Sequence, residues 1–255
     1  MPYLVCVVPV CPMRQEASHK SEQVSQLLFG DVGEIIETVK DFTRIKHRYD
    51  DYEGWCQRSQ LEEINPDQFE GHAELLSTDY ISEVLVNDEP MYIPAGCNVG
   101  LLQHPKQVWG NLSVQYKGKT WDPQAHLSDP ESLRSRAMQF LNSSYQWGGR
   151  SVFGIDCSGF TQAVFRYVGV ALLRDAYQQA AQGEAIGFLQ EVRCGDLAFF
   201  DNEEQRIVHV GILLNPETII HASGKVRVDT IDHQGIINKE TGLRTHHLRV
   251  IKRIL

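Results

Sequence analysis

The sequence predicts an α+β protein in which the strands come first. Three observations carry this. Short extended runs separated by turn signals fill residues 1–125. Two helix starts follow, at Ser128-Asp129-Pro130-Glu131 and at Asp156-Cys157. From Asp196 onward β-type runs return, several as adjacent hairpin partners. This order divides the chain into residues 1–65, 66–125 and 126–255.

Composition narrows the classes. The 255 residues are 42 % hydrophobic and 22 % charged, an ordinary globular balance. A net charge of −9 argues against nucleic acid and against an anionic membrane surface as partners. No run of about 18 apolar residues exists that would span a bilayer. The apolar start, Pro2 to Val8, lacks a basic n-region and a small-residue cleavage site, so it reads as a first strand of a cytoplasmic protein. The six cysteines form no Cys-x-x-Cys pair. Reduced thiols are expected, with no disulfide framework, no metal and no cofactor.

Within residues 1–65, strands are expected at 5–8, 23–29, 33–39, 42–49 and 55–57. The clearest is 42–49, with Thr43, Ile45, His47 and Tyr49 on one face and Arg44, Lys46 and Arg48 on the other. At this strand density the unit reads as a small barrel. Residues 66–125 repeat the style, with strands at 80–86, 90–94, 99–102, 107–109, 112–116 and 120–121. Tyr52-Glu53-Gly54-Trp55 and Tyr116-Lys117-Gly118-Lys119-Thr120-Trp121 sit at comparable late positions, which hints at duplication.

In residues 126–255, Leu133, Ala137, Phe140 and Leu141 give the first helix its apolar stripe. Phe160, Val164, Tyr167 and Val168 do the same for the second, which Gly169 closes. Asp175 caps a short helix over 176–182. Strands are expected at 196–200, 207–214, 218–222, 225–228 and 248–255.

The stretch from Trp147-Gly148-Gly149-Arg150 to Cys157 combines a glycine-rich loop with a cysteine in the first turn of a helix. Free backbone N–H groups and the helix dipole there favour thiolate, the nucleophilic form. His209 interrupts an apolar strand, and His221 lies 12 residues on, across the Asn215-Pro216 turn. Antiparallel neighbours can set both rings on one face. Gly211 shares that face and leaves room for another backbone, such as the cysteine helix. A cysteine nucleophile needs a base, and the base needs an orienting group. Cys157, His209 and His221 fill these roles in order. The competing readings are a small buried cysteine and core histidines bonded to backbone.

Four motifs make a resemblance specific: Asp156-Cys157-Ser158-Gly159-Phe160, Gly195-Asp196-Leu197-Ala198-Phe199-Phe200, His209-Val210-Gly211-Ile212 and Ile220-His221-Ala222-Ser223. Together they resemble the NlpC-type cysteine peptidases of bacterial cell-wall metabolism. The resemblance implies a papain-like α+β core over 126–255, preceded by two small all-β SH3-like barrels. Arg174-Asp175-Ala176-Tyr177-Gln178-Gln179 resembles a segment of the YkfC-like subgroup, with Leu173 where that subgroup has proline.

That subgroup implies γ-D-glutamyl-L-diamino acid endopeptidase activity on small murein peptides with a free N-terminal L-Ala, releasing L-Ala-D-Glu. It further implies that the first barrel reads the amino terminus through a tyrosine and an acid. By motif position these are Tyr52 and Glu16, with Glu22 as rival to the acid. A turn tyrosine packed on its own barrel is the alternative for Tyr52, and a core tryptophan is the alternative for Trp147 as cleft wall. Asp156, Ser158 and Asp175 complete the expected substrate-binding set. Amidase or acyltransferase chemistry on the same core, or a non-catalytic wall-binding protein, are the alternatives.

Overall fold

The computed structural model describes residues 2–102 and 106–255. It divides into two compact units, Met1–Ala125 with Trp147–Phe153, and His126–Gln146 with Gly154–Leu255. Among the described residues of the first unit, seven strands form one antiparallel sheet: β1 (Tyr3–Cys6), β2 (Val10–Arg14), β3 (Gln23–Leu28), β4 (Val32–Val39), β5 (Phe42–His47), β6 (Glu53–Gln57) and β7 (Leu61–Ile64). Their order is β3-β2-β6-β5-β4-β1-β7. The predicted alternation in β5 holds, with Thr43, Ile45 and His47 buried and Arg44 and Lys46 half-buried. A second sheet contains β8 (Ile81–Val86), β9 (Glu89–Pro94), β10 (Gln107–Trp109) and β11 (Leu112–Tyr116), in the order β9-β8-β11-β10.

Two of the departures from the sequence reading are instructive. Strand β2 was not expected, because Pro12 interrupts it. It pairs with β3 through Pro12, opposite Gln26, and meets β6 at Arg14 opposite Trp55. Residues 99–102 are not a strand. Gly100–Leu102 form a buried 3₁₀ turn, and a Cβ on Gly100 would lie 2.0 Å from the Ala73 carbonyl oxygen. Short apolar runs do not reveal their element by periodicity. Within the first unit, Val5, Phe29 and Phe69 share one core with Val84, Ile93, Trp109 and Val114. Cys6, Cys11 and Cys56 lie together in the other core, beneath a half-buried Tyr52. No disulfide joins any of the six cysteines.

The segment Trp147–Phe153 is seated on β3. The Trp147 carbonyl accepts from Gln23 Nε2 at 2.9 Å, and its indole N–H donates to Glu22 Oε1 at 2.6 Å. Arg150 donates its backbone N–H to Gln26 Oε1 and its guanidinium to the Gln26 carbonyl, both at 2.8 Å. Gly148 has φ +73°, and a Cβ there would lie 2.5 Å from the Gln23 carbonyl oxygen. Beneath the segment, Asp31 lies 3.6 Å from both Arg150 Nη1 and His47 Nε2, and His47 Nδ1 is 2.8 Å from Asp50.

The second unit has helices α1 (Pro130–Gln139), α2 (Cys157–Arg166) and α3 (Ala176–Gln179). Asp129 caps α1 through the Glu131 and Ser132 N–H groups. Strand β12 (Glu184–Ile186) precedes β13 (Leu197–Asp201), β14 (Ile207–Asn215), β15 (Thr218–Ser223), β16 (Lys225–Asp232), β17 (Gly235–Ile237) and β18 (Arg244–Arg253). Strands β13 to β18 pair in sequence, and β18 returns to β13, closing a six-stranded barrel. Ala198, Phe200, Leu213, Ile219, Ile231 and Ile236 form one core cluster of this barrel. Helix α2 packs on β14 and β15, so Val210, Ile212, Ile220 and Ala222 on the other face are buried too.

Burial alone would lower the His47 pKa, but Asp50 and Asp31 more than offset it and the imidazole titrates above its ordinary value. A raised folded pKa means stabilisation present below about pH 6.5 and lost as pH rises through the folded value. Urea unfolding of the full chain from neutral to alkaline pH should therefore show a falling midpoint for this unit. In His47→Gln that alkaline decline should vanish, and an unchanged decline would assign it elsewhere.

Candidate active site

Cys157 is the first residue of α2 and is only 6 % exposed. Asp156 is the N-cap and accepts from the Gly159 N–H at 2.7 Å. The Asp156 carboxylate also receives Arg174 through two bonds, Nη1 to Oδ1 at 3.1 Å and Nη2 to Oδ2 at 2.6 Å. Arg174 Nη1 reaches Ser158 Oγ at 3.0 Å as well, and the guanidinium is 1 % exposed. Gln179 of α3 donates to the Ser158 carbonyl at 3.1 Å and accepts from Thr161 Oγ1 at 2.7 Å. The first turn of α2 is thus fixed from two sides.

The backbone N–H groups of Val210 and Ser158 point at the Cys157 sulfur. This sets the nucleophile against β14, one residue from His209. His209 lies opposite Phe200, and Gly211 lies opposite His221. The two histidines therefore share the barrel face that carries Leu213 and Ile219. His209 Nε2 is 2.8 Å from His221 Nδ1, and His221 Nε2 is 3.0 Å from Asp229 Oδ2. The ring of His246 stacks on His209 with centroids 4.1 Å apart.

Gly211 serves a different purpose from the one expected. A Cβ there would meet Ile219 Cδ1 at 2.7 Å and His221 Cβ at 2.8 Å. The missing side chain makes room for the neighbouring strand's imidazole, not for the cysteine helix.

The electrostatics also differ from expectation. Burial, and then the Asp156 charge, push the Cys157 thiol up to about 12, against the opposing Val210 N–H and Arg174. Burial, then His221 and His246, hold His209 well below the usual imidazole range. Both shifts favour the uncharged thiol and the uncharged imidazole. Tyr145, missed from the sequence, is within electrostatic reach: burial and then the Cys157 and Asp156 charges raise its phenol.

The other expected residues fall as follows. Asp175 caps α3 in a capping box with Gln178. Trp147 is 61 % exposed and belongs to the first unit, as do Glu16, Glu22 and Tyr52. Arg174 and Gln179 stood in the segment that carries the subgroup resemblance but were given no role, and Asp229 and His246 were not singled out by the sequence reading. Asp229 was within reach of it: the Ser223-Gly224-Lys225 hairpin turn and the Arg227-x-Asp229 alternation place that carboxylate on the histidine face. Among the described residues, no group of three or more His, Cys, Asp or Glu side chains is arranged to hold a metal ion. Among the described residues, no helix is long and apolar enough to cross a membrane.

Residues 142–245 match the NlpC/P60 family, and residues 13–61 match the bacterial dipeptidyl-peptidase Sh3 domain. The chain is similar to a protein named gamma-D-glutamyl-L-lysine dipeptidyl-peptidase from Bacillus subtilis, 41 % identical over 85 residues, which is 32 % of this chain and 28 % of that one. A Bacillus cereus protein of the same name is 30 % identical over 153 residues, 57 % of this chain and 45 % of that one. The chain therefore spans less than half the length of these two curated relatives. A crystal structure of an NlpC/P60 family protein from Bacillus cereus superposes with a TM-score of 0.80 at 17 % identity, covering 99 % of both chains, and shows the shared fold.

Two outcomes check this site. Arg174→Ala leaves a buried carboxylate without its cation and should cost about 3–5 kcal/mol in urea unfolding; a loss under about 1 kcal/mol would mean that the pair does not hold the helix start. For the thiol, iodoacetamide alkylation of Cys157, followed by peptide mapping, should accelerate about tenfold per pH unit up to about pH 9. A rate that is flat from acid pH upward would show a preformed ion pair.

Proposed function

We propose, for a chain that joins an NlpC/P60 domain to a bacterial dipeptidyl-peptidase SH3 domain, that it is a cysteine peptidase of murein peptides. The observation that carries this reading is Cys157 at the start of a helix packed on β14, the strand that carries His209, with His209, His221 and Asp229 joined by hydrogen bonds. The bond cut is γ-D-glutamyl to the diamino acid in peptides with a free N-terminal L-Ala. The product is L-Ala-D-Glu, and the role is recycling of wall peptides inside the cell. The names of the two relatives support the bond assignment.

In this mechanism the neutral His209 takes the Cys157 proton as Sγ attacks the γ-glutamyl carbonyl. The Cys157 N–H at the start of α2 is a donor for the oxyanion. The imidazolium protonates the leaving amine, and a water deprotonated by His209 then hydrolyses the thioester. An ammonium end group is best read by a carboxylate and a hydroxyl. In the first unit these are Glu16 and Tyr52. Arg14 opposite Trp55 brings the chain on either side of them to one end of the β2–β6 pair. Glu22 is already engaged by the Trp147 indole, which favours Glu16 over its rival.

Cys157→Ala should abolish cleavage of L-Ala-γ-D-Glu-diamino acid peptides followed by mass spectrometry, and retained activity would refute the nucleophile. Tyr52→Phe should weaken turnover of the free peptide while leaving the poorer N-acetylated one unchanged. Equal losses on both would remove Tyr52 from amino-end recognition.

A further inference from the structure

A histidine as the orienting group leaves one question open. Asparagine or aspartate can only present one kind of atom to a histidine N–H in a given pose. An imidazole can present either a donor or an acceptor, so His221 alone does not decide which nitrogen of His209 carries the proton. The environment of Asp229 decides it. The carboxylate is 1 % exposed, and donors surround it. Arg227 Nε reaches Oδ2 at 2.7 Å and Arg227 Nη2 reaches Oδ1 at 3.2 Å. The Lys239 N–H reaches Oδ1 at 2.9 Å. His221 Nε2 supplies the remaining contact, at 3.0 Å to Oδ2. Arg227 is in turn 3.4 Å from Glu240, outside the barrel's histidine cluster.

We propose that Asp229 is a positioning residue that acts through His221 to fix His209 as the tautomer whose Nδ1 is the free base. Each step forces the next. An ionised carboxylate only accepts, so His221 carries its proton on Nε2. Neutral His221 then offers a lone pair at Nδ1. That lone pair, 2.8 Å from His209 Nε2, is filled by a proton on His209 Nε2. Neutral His209 with its proton on Nε2 has its lone pair on Nδ1. When His209 takes the thiol proton there, Nε2–H stays on His209 and Asp229 stays ionised. No second proton moves, and the new positive charge sits two hydrogen bonds from a fixed negative one. Burial alone would raise the Asp229 pKa, and the His221, Lys239 and Arg227 bonds more than offset it, which agrees with the ionised state required.

This inference rests on the proposed cysteine-peptidase reading for its catalytic consequence, but the tautomer can be read without activity. In Asp229→Asn, Arg227 and the Lys239 N–H hold the amide oxygen and the amide NH₂ turns to His221. His221 should then protonate at Nδ1, and His209 should switch to Nδ1–H. Nitrogen-15 NMR of the resting full chain should show Nε2–H on both rings in the wild type and the switch in Asp229→Asn. On muropeptides the variant should lose kcat on the order of 10²-fold or more, with KM nearly unchanged. Asp229→Glu should keep the wild-type tautomers. Wild-type tautomers in Asp229→Asn would overturn the proposal even if activity fell. Absence of muropeptide cleavage by the wild type, with the NMR switch present, would refute the substrate assignment and leave the positioning role standing.

Discussion

The buried ion pair between Asp156 and Arg174 is the constraint on which the site depends. A carboxylate at a helix start is favourable at the surface, where capping contributes about 1 kcal/mol. Inside the fold its desolvation costs more than capping returns, so it needs a cation with matched geometry. Arg174 meets it with two bonds and spends its remaining reach on Ser158. Gln179 closes the arrangement by bonding the Ser158 carbonyl and Thr161. The residues on both sides of Cys157 are therefore held by the segment between α2 and α3. Asp156 and Ser158 are in this way supports of the nucleophile.

The histidine side of the site is held by different physics. The closed barrel fixes strand register on both edges, so no rung of β14, β15 or β16 can slip without moving an entire face. His209, His221 and Asp229 come from three consecutive strands joined by short turns. Their separations of 12 and 8 residues follow from the hairpin lengths. Gly211 removes the one side chain that would crowd His221, and the His246 ring stacks on His209 from the closing strand β18. The outer face of the same strands lies under α2, so both faces of β14 are buried.

Much of this was legible in the sequence, and the boundary of legibility has physical causes. Helix α2 could be read because capping, periodicity and a terminal glycine agree at Asp156, Phe160, Val164 and Gly169. His209 and His221 were legible because polar rings inside apolar strands need an explanation. Strand β2 was hidden by Pro12, which lacks the N–H that a strand residue normally offers. The turn at Gly100 was hidden because a buried turn and a buried strand use the same apolar residues. His246 was invisible because β18 meets β13 only when the barrel closes, and closure is a long-range event with no local signal. Arg174 was visible as part of a motif, but nothing local showed that its charge is buried. Its burial follows from Asp156, 18 residues earlier, and only the packed structure joins them.

The magnitudes also decide which effect governs the thiol. A helix N-terminus favours an anion by about 0.3–1 kcal/mol when exposed and by about 2 kcal/mol at best. The rise of Cys157 from 9.0 to about 12 corresponds to about 4 kcal/mol against the thiolate, and it remains after the helix start and Arg174 have acted. Burial therefore outweighs the dipole, and Asp156 adds to burial. A shift in this direction disfavours a nucleophile that waits as an anion. The thiol must surrender its proton at the moment of attack, to a base already presenting a lone pair. Under that regime the orientation and tautomer of His209 matter more than any stored charge on sulfur. The polar chain from His221 to Asp229 supplies that orientation without placing a net charge beside the cysteine.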